Sequence, residues 1–161
     1  MIELTVRTDI EIDATADAGW KLLGEGFGEW DTWSPGIDKV TMKGPLAQGV
    51  IRVNETPSLG TVTQELVRFE RAERALAYEV REGLPPFLRA MRNDWQIDPL
   101  GDGRSRLSGV AVFGLPDALA PKKAGIQAKM TEVLKQFCAA FQGAVESRNP
   151  AGALKPSQPA V

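Results

Sequence analysis

The chain has 161 residues, 19 Lys and Arg against 21 Asp and Glu for a formal charge of −2, one cysteine and no histidine. That length suits one domain with its own core, the charge lacks the basic excess of a nucleic-acid binder, and a single thiol cannot close an internal disulfide. The lack of histidine removes Ser-His-Asp and Cys-His nucleophile systems, imidazole bases and His-based metal sites together, so neither a metal nor a cofactor is expected.

The first dozen residues alternate rather than forming a basic run and an apolar block, so no signal peptide is expected. No apolar stretch reaches the roughly 18 residues of a membrane span. A reducing, cytoplasmic setting is the expectation, with no nucleic-acid partner and no stable membrane insertion.

Residues 2–12 give the cleanest strand: Ile2, Leu4, Val6, Ile10 and Ile12 alternate with Glu3, Thr5, Arg7, Asp9 and Glu11, and Thr8 shares the inward parity. One wet face and one dry face mark an antiparallel sheet covered on one side. Asp13 is placed to cap a helix from Ala14, with Ala16, Trp20 and Leu23 on one face and Gly24 as its stop. A second short helix is expected from Phe27 to Trp33, ended by Ser34-Pro35-Gly36. Strands then follow at Val40–Met42, Val50–Glu55, Thr61–Glu70, Ala75–Glu82, from Met91, and at Ser105–Phe113. Phe69 breaks the parity of Val62 and Leu66, which predicts a bulge near Arg68. Gly101-Asp102-Gly103 reads as a hairpin turn.

The rest is organised around the stretch from Pro121 to about Arg148. Ile126, Met130, Leu134, Phe137 and Phe141 recur at helical spacing, with Val133 beside them, and form one apolar stripe. Such a helix, about 40 Å long at 1.5 Å per residue, needs a large apolar partner, and the strands before it supply one. The expected fold is α+β: a curved antiparallel sheet of about seven strands wrapped around a long C-terminal helix, in one domain over residues 1–148, followed by a disordered tail over 149–161.

The wording of several segments carries a resemblance: Trp20-Lys21-Leu22-Leu23, Phe27-Gly28-Glu29-Trp30, Trp33-Ser34-Pro35-Gly36-Ile37, Glu65-Leu66-Val67-Arg68-Phe69-Glu70 and Tyr78-Glu79-Val80-Arg81-Glu82-Gly83-Leu84-Pro85. Over about residues 2–147 the chain resembles the START-like superfamily, also called Bet v 1-like or polyketide cyclase/dehydrase-like. The resemblance implies a helix-grip fold whose sheet and last helix enclose an apolar cavity. It also implies one of several jobs, from carrying lipids, sterols or quinones to cyclising polyketides. Gly109 stands where many relatives carry a bulky aromatic, so it either widens the chamber or lets a core side chain press closer.

Parity supplies the site residues. Leu66, Leu76, Val80, Met91, Trp95, Phe113, Met130, Val133 and Phe137 offer apolar walls or a solid core. Gln64, Tyr78 and Asn93, with Thr8, are inward polar groups able to orient an oxygen-bearing ligand. Glu82 and Arg89 share inward parity near a loop, as a solvated rim pair or as a charged anchor or base. Cys138, beside the stripe, reads as a buried inert thiol. The mouth is expected among Pro57–Gly60, Leu84–Phe87 and Leu115–Pro121. Two readings lead: a non-catalytic binder or carrier of a mostly apolar small molecule such as a lipid, quinone or polyketide-like compound, and a polyketide cyclase or dehydratase. The first is favoured because no inward mid-strand carboxylate and no histidine is present. A homodimeric scaffold with a filled core is the third.

Overall fold

A computed structural model describes residues 1–150; the disordered tail expected beyond Pro150 lies outside the described residues. Seven strands form a single antiparallel sheet in the order β1-β7-β6-β5-β4-β3-β2. They are β1 (Ile2–Ile12), β2 (Lys39–Met42), β3 (Ile51–Thr56), β4 (Gly60–Glu70), β5 (Ala75–Glu82), β6 (Ala90–Gly101) and β7 (Arg104–Leu115). From β2 to β7 the chain runs as a meander, each strand pairing with the next, and β1 closes the far edge against β7. In β1, Leu4, Val6 and Ile12 are buried and Ile2 and Ile10 pack partly against the core. Full burial of one such side chain contributes about 1.5–3 kcal/mol, which is why the period-two pattern fixes the register.

The bulge expected near Arg68 is present: Leu66 faces Tyr78 and Arg68 faces Ala77, so Val67 is the extra residue on β4. A second irregularity was not expected. Thr63 faces Glu82 and Gln64 faces Val80, which makes Arg81 the extra residue on β5. The turn after β6 carries Asp102 at a left-handed φ of 54°.

The long helix α2 spans Lys123–Arg148, and Pro121 lies in a separate 3₁₀ turn over Asp117–Lys122. The start expected at Pro121 is thus displaced by one short turn. Leu134 and Phe141 of the stripe are buried, Ile126, Met130 and Phe137 pack against the core, and Val133 is 50% exposed. Asn149, assigned in advance to the tail, caps α2 instead, its backbone N–H reaching the Val145 carbonyl.

The short helices differ from expectation in their ends. Helix α1 covers Ala16–Trp20, and its cap is Thr15, whose hydroxyl accepts from the Ala18 N–H at 3.1 Å. Asp13 does not cap it; the Asp13 backbone N–H donates to Glu146 at 2.8 Å, tying this segment to the end of α2. The chain does not stop at Gly24 but continues through a wide π turn over Lys21–Glu25 into a 3₁₀ stretch at Phe27–Thr32. Gly24 serves packing, since a Cβ there would lie 2.3 Å from the Trp20 ring.

Candidate functional site

The concave space between sheet and α2 is only partly filled. Leu4, Trp20, Leu23, Leu66, Leu76, Phe113 and Phe141 are buried in a continuous core. Beside it, bordered by Trp30, Tyr78, Trp95 and Leu134 of the same core, a cavity of about 200 Å³ remains. Its wall comes from Trp30 and the Ser34–Ile37 segment, from Arg52, Asn54 and Thr56 on β3, Leu59 in the β3–β4 turn, and Val62 and Gln64 on β4. Tyr78 and Val80 of β5, Met91, Asn93 and Trp95 of β6, and Val133, Leu134 and Phe137 of α2 complete it.

Register explains why polar groups meet in this wall. Arg52 is opposite Gln64, and Tyr78 is opposite Asn93. Two hydrogen-bonded clusters result. In the first, the Gln64 carbonyl oxygen accepts from Arg52 Nε at 3.1 Å, Arg52 Nη2 at 2.5 Å and Asn54 Nδ2 at 3.1 Å, while Arg52 Nη1 donates to the Phe27 carbonyl at 2.8 Å. The guanidinium carbon also lies 3.8 Å from the Phe27 ring centre and 4.2 Å from that of Trp30, within cation–π range. In the second cluster, the Tyr78 hydroxyl accepts from Asn93 Nδ2 at 3.1 Å and Trp95 Nε1 at 3.3 Å.

Both clusters leave oxygen atoms over. The side-chain carbonyls of Asn54 and Asn93 are buried without a hydrogen-bond partner, a costly arrangement of about 1–3 kcal/mol each. Burial pushes the Tyr78 phenol above its ordinary pKa, against the smaller opposite pull of Arg52, Trp95 and Asn93. Burial pulls Arg52 down to about 9. At neutral pH the phenol is therefore protonated and the guanidinium charged.

Of the residues singled out from sequence, Gln64, Tyr78, Val80, Met91, Asn93, Trp95, Val133 and Phe137 come together in the wall. Leu66, Leu76 and Phe113 are buried in the core without lining the cavity, and Met130 packs against that core. Gly109 lies outside the wall. A Cβ on it would sit 2.2 Å from Trp95 Cζ3, so the glycine makes room for the indole rather than for a ligand. Glu82 is exposed, because the extra residue Arg81 reverses its parity and sets it opposite Thr63. Arg89 is exposed too and donates to the Pro86 carbonyl. Thr8 meets Cys138, oxygen to sulfur at 3.8 Å, and burial raises the thiol's pKa.

The mouth is also narrower than expected. Leu59 in the β3–β4 turn is 48% exposed and, with Gly36 and Val133, marks the opening. Leu84–Phe87 and Leu115–Pro121 do not line it; Leu84, Phe87, Leu88 and Leu115 fold onto the core and close that end.

Arg52 and Asn54 escaped the sequence reading, although hairpin arithmetic contains them. If Val62, Gln64 and Leu66 point inward, a turn at Pro57–Gly60 sets Asn54 and Arg52 opposite Val62 and Gln64 on the same face. Trp30, from the short helix after α1, also forms wall.

The sequence pattern of the family described as polyketide cyclase / dehydrase and lipid transport matches residues 3–146. No curated protein matches the chain. Among solved structures, norcoclaurine synthase from Thalictrum flavum superposes with a TM-score of 0.72 at 16% identity, covering 89% of this chain and 94% of that one. The XoxI protein from Bacillus cereus gives 0.75 at 18%, covering 88% and 95%. The Zhui aromatase/cyclase from Streptomyces sp. R1128 gives 0.70 at 20%, covering 93% and 98%. At these identities the likeness concerns the helix-grip fold.

Proposed function

The chain belongs to the polyketide cyclase / dehydrase and lipid transport family, within the START-like superfamily that its wording resembles, and from that premise we propose that it binds a small, mostly apolar molecule bearing hydroxyl groups, without transforming it. The observation that carries this reading is the pair of unpartnered carbonyl oxygens, Asn54 Oδ1 and Asn93 Oδ1, in residues that line an otherwise apolar cavity. One hydroxyl donor for each of these oxygens would relieve the cost of the two buried acceptors.

Size narrows the ligand. The cavity, about 200 Å³, is smaller than the roughly 300–1,000 Å³ typical of drug-sized ligand sites. A mono- or bicyclic molecule suits it better than a sterol or a two-chain lipid.

The binder is preferred to the cyclase on the chemistry of the wall. The lining contains no Asp, Glu, Lys or Cys, and Glu82 and Arg89, the groups considered for proton transfer, lie outside it. Its two ionisable side chains, Arg52 and Tyr78, both hold their protons near neutrality. General acid–base catalysis works best with a group whose pKa lies near the working pH.

The test uses the neutral dye N-phenyl-1-naphthylamine, whose emission rises in apolar surroundings, displaced by 2-naphthol or by naphthalene. The wild type should prefer the naphthol by about 5-fold, worth roughly 1 kcal/mol for one hydrogen bond. Asn93→Leu should remove that preference. Absence of dye binding, or equal affinity of the wild type for both competitors, would overturn the proposal.

A further inference from the structure

The arginines of this chain are unequally served. Arg68, Arg71, Arg74, Arg81, Arg92, Arg104 and Arg106 each have a carboxylate within 4.0 Å. They lie at or near the surface, where such pairs contribute little. Arg52 is 0% exposed, and among the described residues no carboxylate lies within ion-pair distance of it. Asp31 exerts some attraction from farther away, but its carboxylate is engaged with the Val40 backbone N–H at 2.9 Å. Two oxygens, those of Gln64 and Phe27, accept three contacts from a group with five N–H donors. The aromatic faces of Phe27 and Trp30 offset part of the charge but bring no counter-charge.

A buried, uncompensated cation is costly, and its field reaches far where the surroundings are apolar. Here the apolar region beside it is the cavity, because Arg52 is itself part of the wall. Gln64 and the Phe27 carbonyl engage the guanidinium, and Arg52 has no exposed surface, so the charge acts on the cavity through its field more than through contact. The cavity lining supplies no negative group to cancel that field.

We propose that the cavity selects an organic anion: a small mono- or bicyclic molecule carrying one ionised acid group, drawn and oriented by Arg52, with a hydroxyl on the free carbonyls of Asn54 and Asn93. This rests on the binding reading above and adds the sign of the ligand's charge. Arg52 is a positioning and selecting residue; no chemical step is assigned to it.

The experiment measures displacement of N-phenyl-1-naphthylamine at about pH 7.5 by two competitors of one shape, 2-naphthoate and 2-naphthamide. In the wild type the carboxylate should win by about tenfold, or ~1.4 kcal/mol, and the preference should persist in about 0.5 M salt, which screens the surface arginines and not a buried one. In Arg52→Met the ratio should fall to about one, and Arg52→Lys should keep it well above one. Equal affinity, or an amide preferred by the wild type, overturns the inference. A preference that survives Arg52→Met, or that vanishes in salt, assigns the charge effect elsewhere and overturns it equally. If neither variant folds, the wild-type ratio and its salt dependence decide alone. Should the neutral dye not bind at all, the cavity reading fails and this inference with it; dye binding with an acid-to-amide ratio of one removes only the anion.

Discussion

Gly109→Ala isolates the contact on which the shape of the cavity depends. The added Cβ would stand 2.2, 2.5 and 2.8 Å from Cζ3, Cε3 and Cη2 of Trp95, where carbon atoms normally approach to about 3.5–4.0 Å. The indole must retreat by more than about 1 Å, and little is free to let it. Its ring stacks on Phe137 with centres 4.7 Å apart and an interplanar angle of 28°, and its Nε1 donates to Tyr78. The backbone cannot yield instead, because β7 is paired on both sides, Gly109 to Thr8 and to Trp95. The space left is the cavity. Overpacking of this kind costs about 1–3 kcal/mol, reduced by up to about 1 kcal/mol because alanine loses less backbone entropy than glycine. A net loss of about 1–2 kcal/mol in urea unfolding is expected, together with loss of N-phenyl-1-naphthylamine binding. Trp95→Leu in the same chain should recover most of the stability, and the double-mutant cycle should show a coupling above about 1 kcal/mol. If Gly109→Ala is as stable as the wild type and binds the dye unchanged, the packing argument is refuted.

Two further outcomes follow from the same geometry. Tyr78 is the only tyrosine, so its ionisation can be followed by absorbance near 295 nm; it should begin above the usual phenol range in the native protein and return to about 10 in denaturant. Because the native state then holds the proton that the unfolded state loses, this group's contribution to stability falls as pH rises above about 10; a native midpoint at or below 10 would contradict burial of the hydroxyl. At the N-terminus of α1, Thr15→Ala should cost about 1 kcal/mol, the worth of a cap, while Asp13→Ala should stay within about 0.5 kcal/mol, since Asp13 engages Glu146 through its backbone N–H. Thermal unfolding of the two variants would decide, and the reverse order would restore Asp13 as the cap.

The sheet and its helix were legible because burial enforces period. Leu4, Val6 and Ile12 on β1, and Leu134 and Phe141 on α2, can be dry only in one register. Parity revealed the bulge near Arg68, because Phe69 breaks the pattern, but it missed the second one. The extra Arg81 in β5 turns Glu82 out to solvent, though its spacing from Tyr78 and Val80 set it inward. Parity also cannot tell wall from core: Leu66 and Tyr78 are cross-strand neighbours in one buried cluster, yet only Tyr78 lines the cavity. Gly109 was legible only as an alternative between wider space and closer packing, and the Trp95 ring settled it.

Arg52 shows the same division at the level of charge. Its place on an inward face follows from the β3–β4 hairpin, but its lack of a carboxylate follows only from the fold. Gln64, which sequence parity offered as a ligand-orienting group, spends its carbonyl oxygen on Arg52 and Asn54. Holding Asn54 by its amide nitrogen leaves the Asn54 carbonyl unpartnered. Asn93, held by its nitrogen on Tyr78, repeats the arrangement across the cavity. In both clusters a buried hydrogen bond fixes the donor end of an asparagine and leaves the acceptor end free. The wall is consequently rigid where it is polar, and it is this fixed arrangement, two unpartnered oxygen acceptors and one buried positive charge, on which the proposed hydroxyl-bearing anion rests. On that proposal a neutral, acceptor-only molecule such as 2-acetonaphthone should displace N-phenyl-1-naphthylamine more weakly than 2-naphthoate, and equal displacement would count against it.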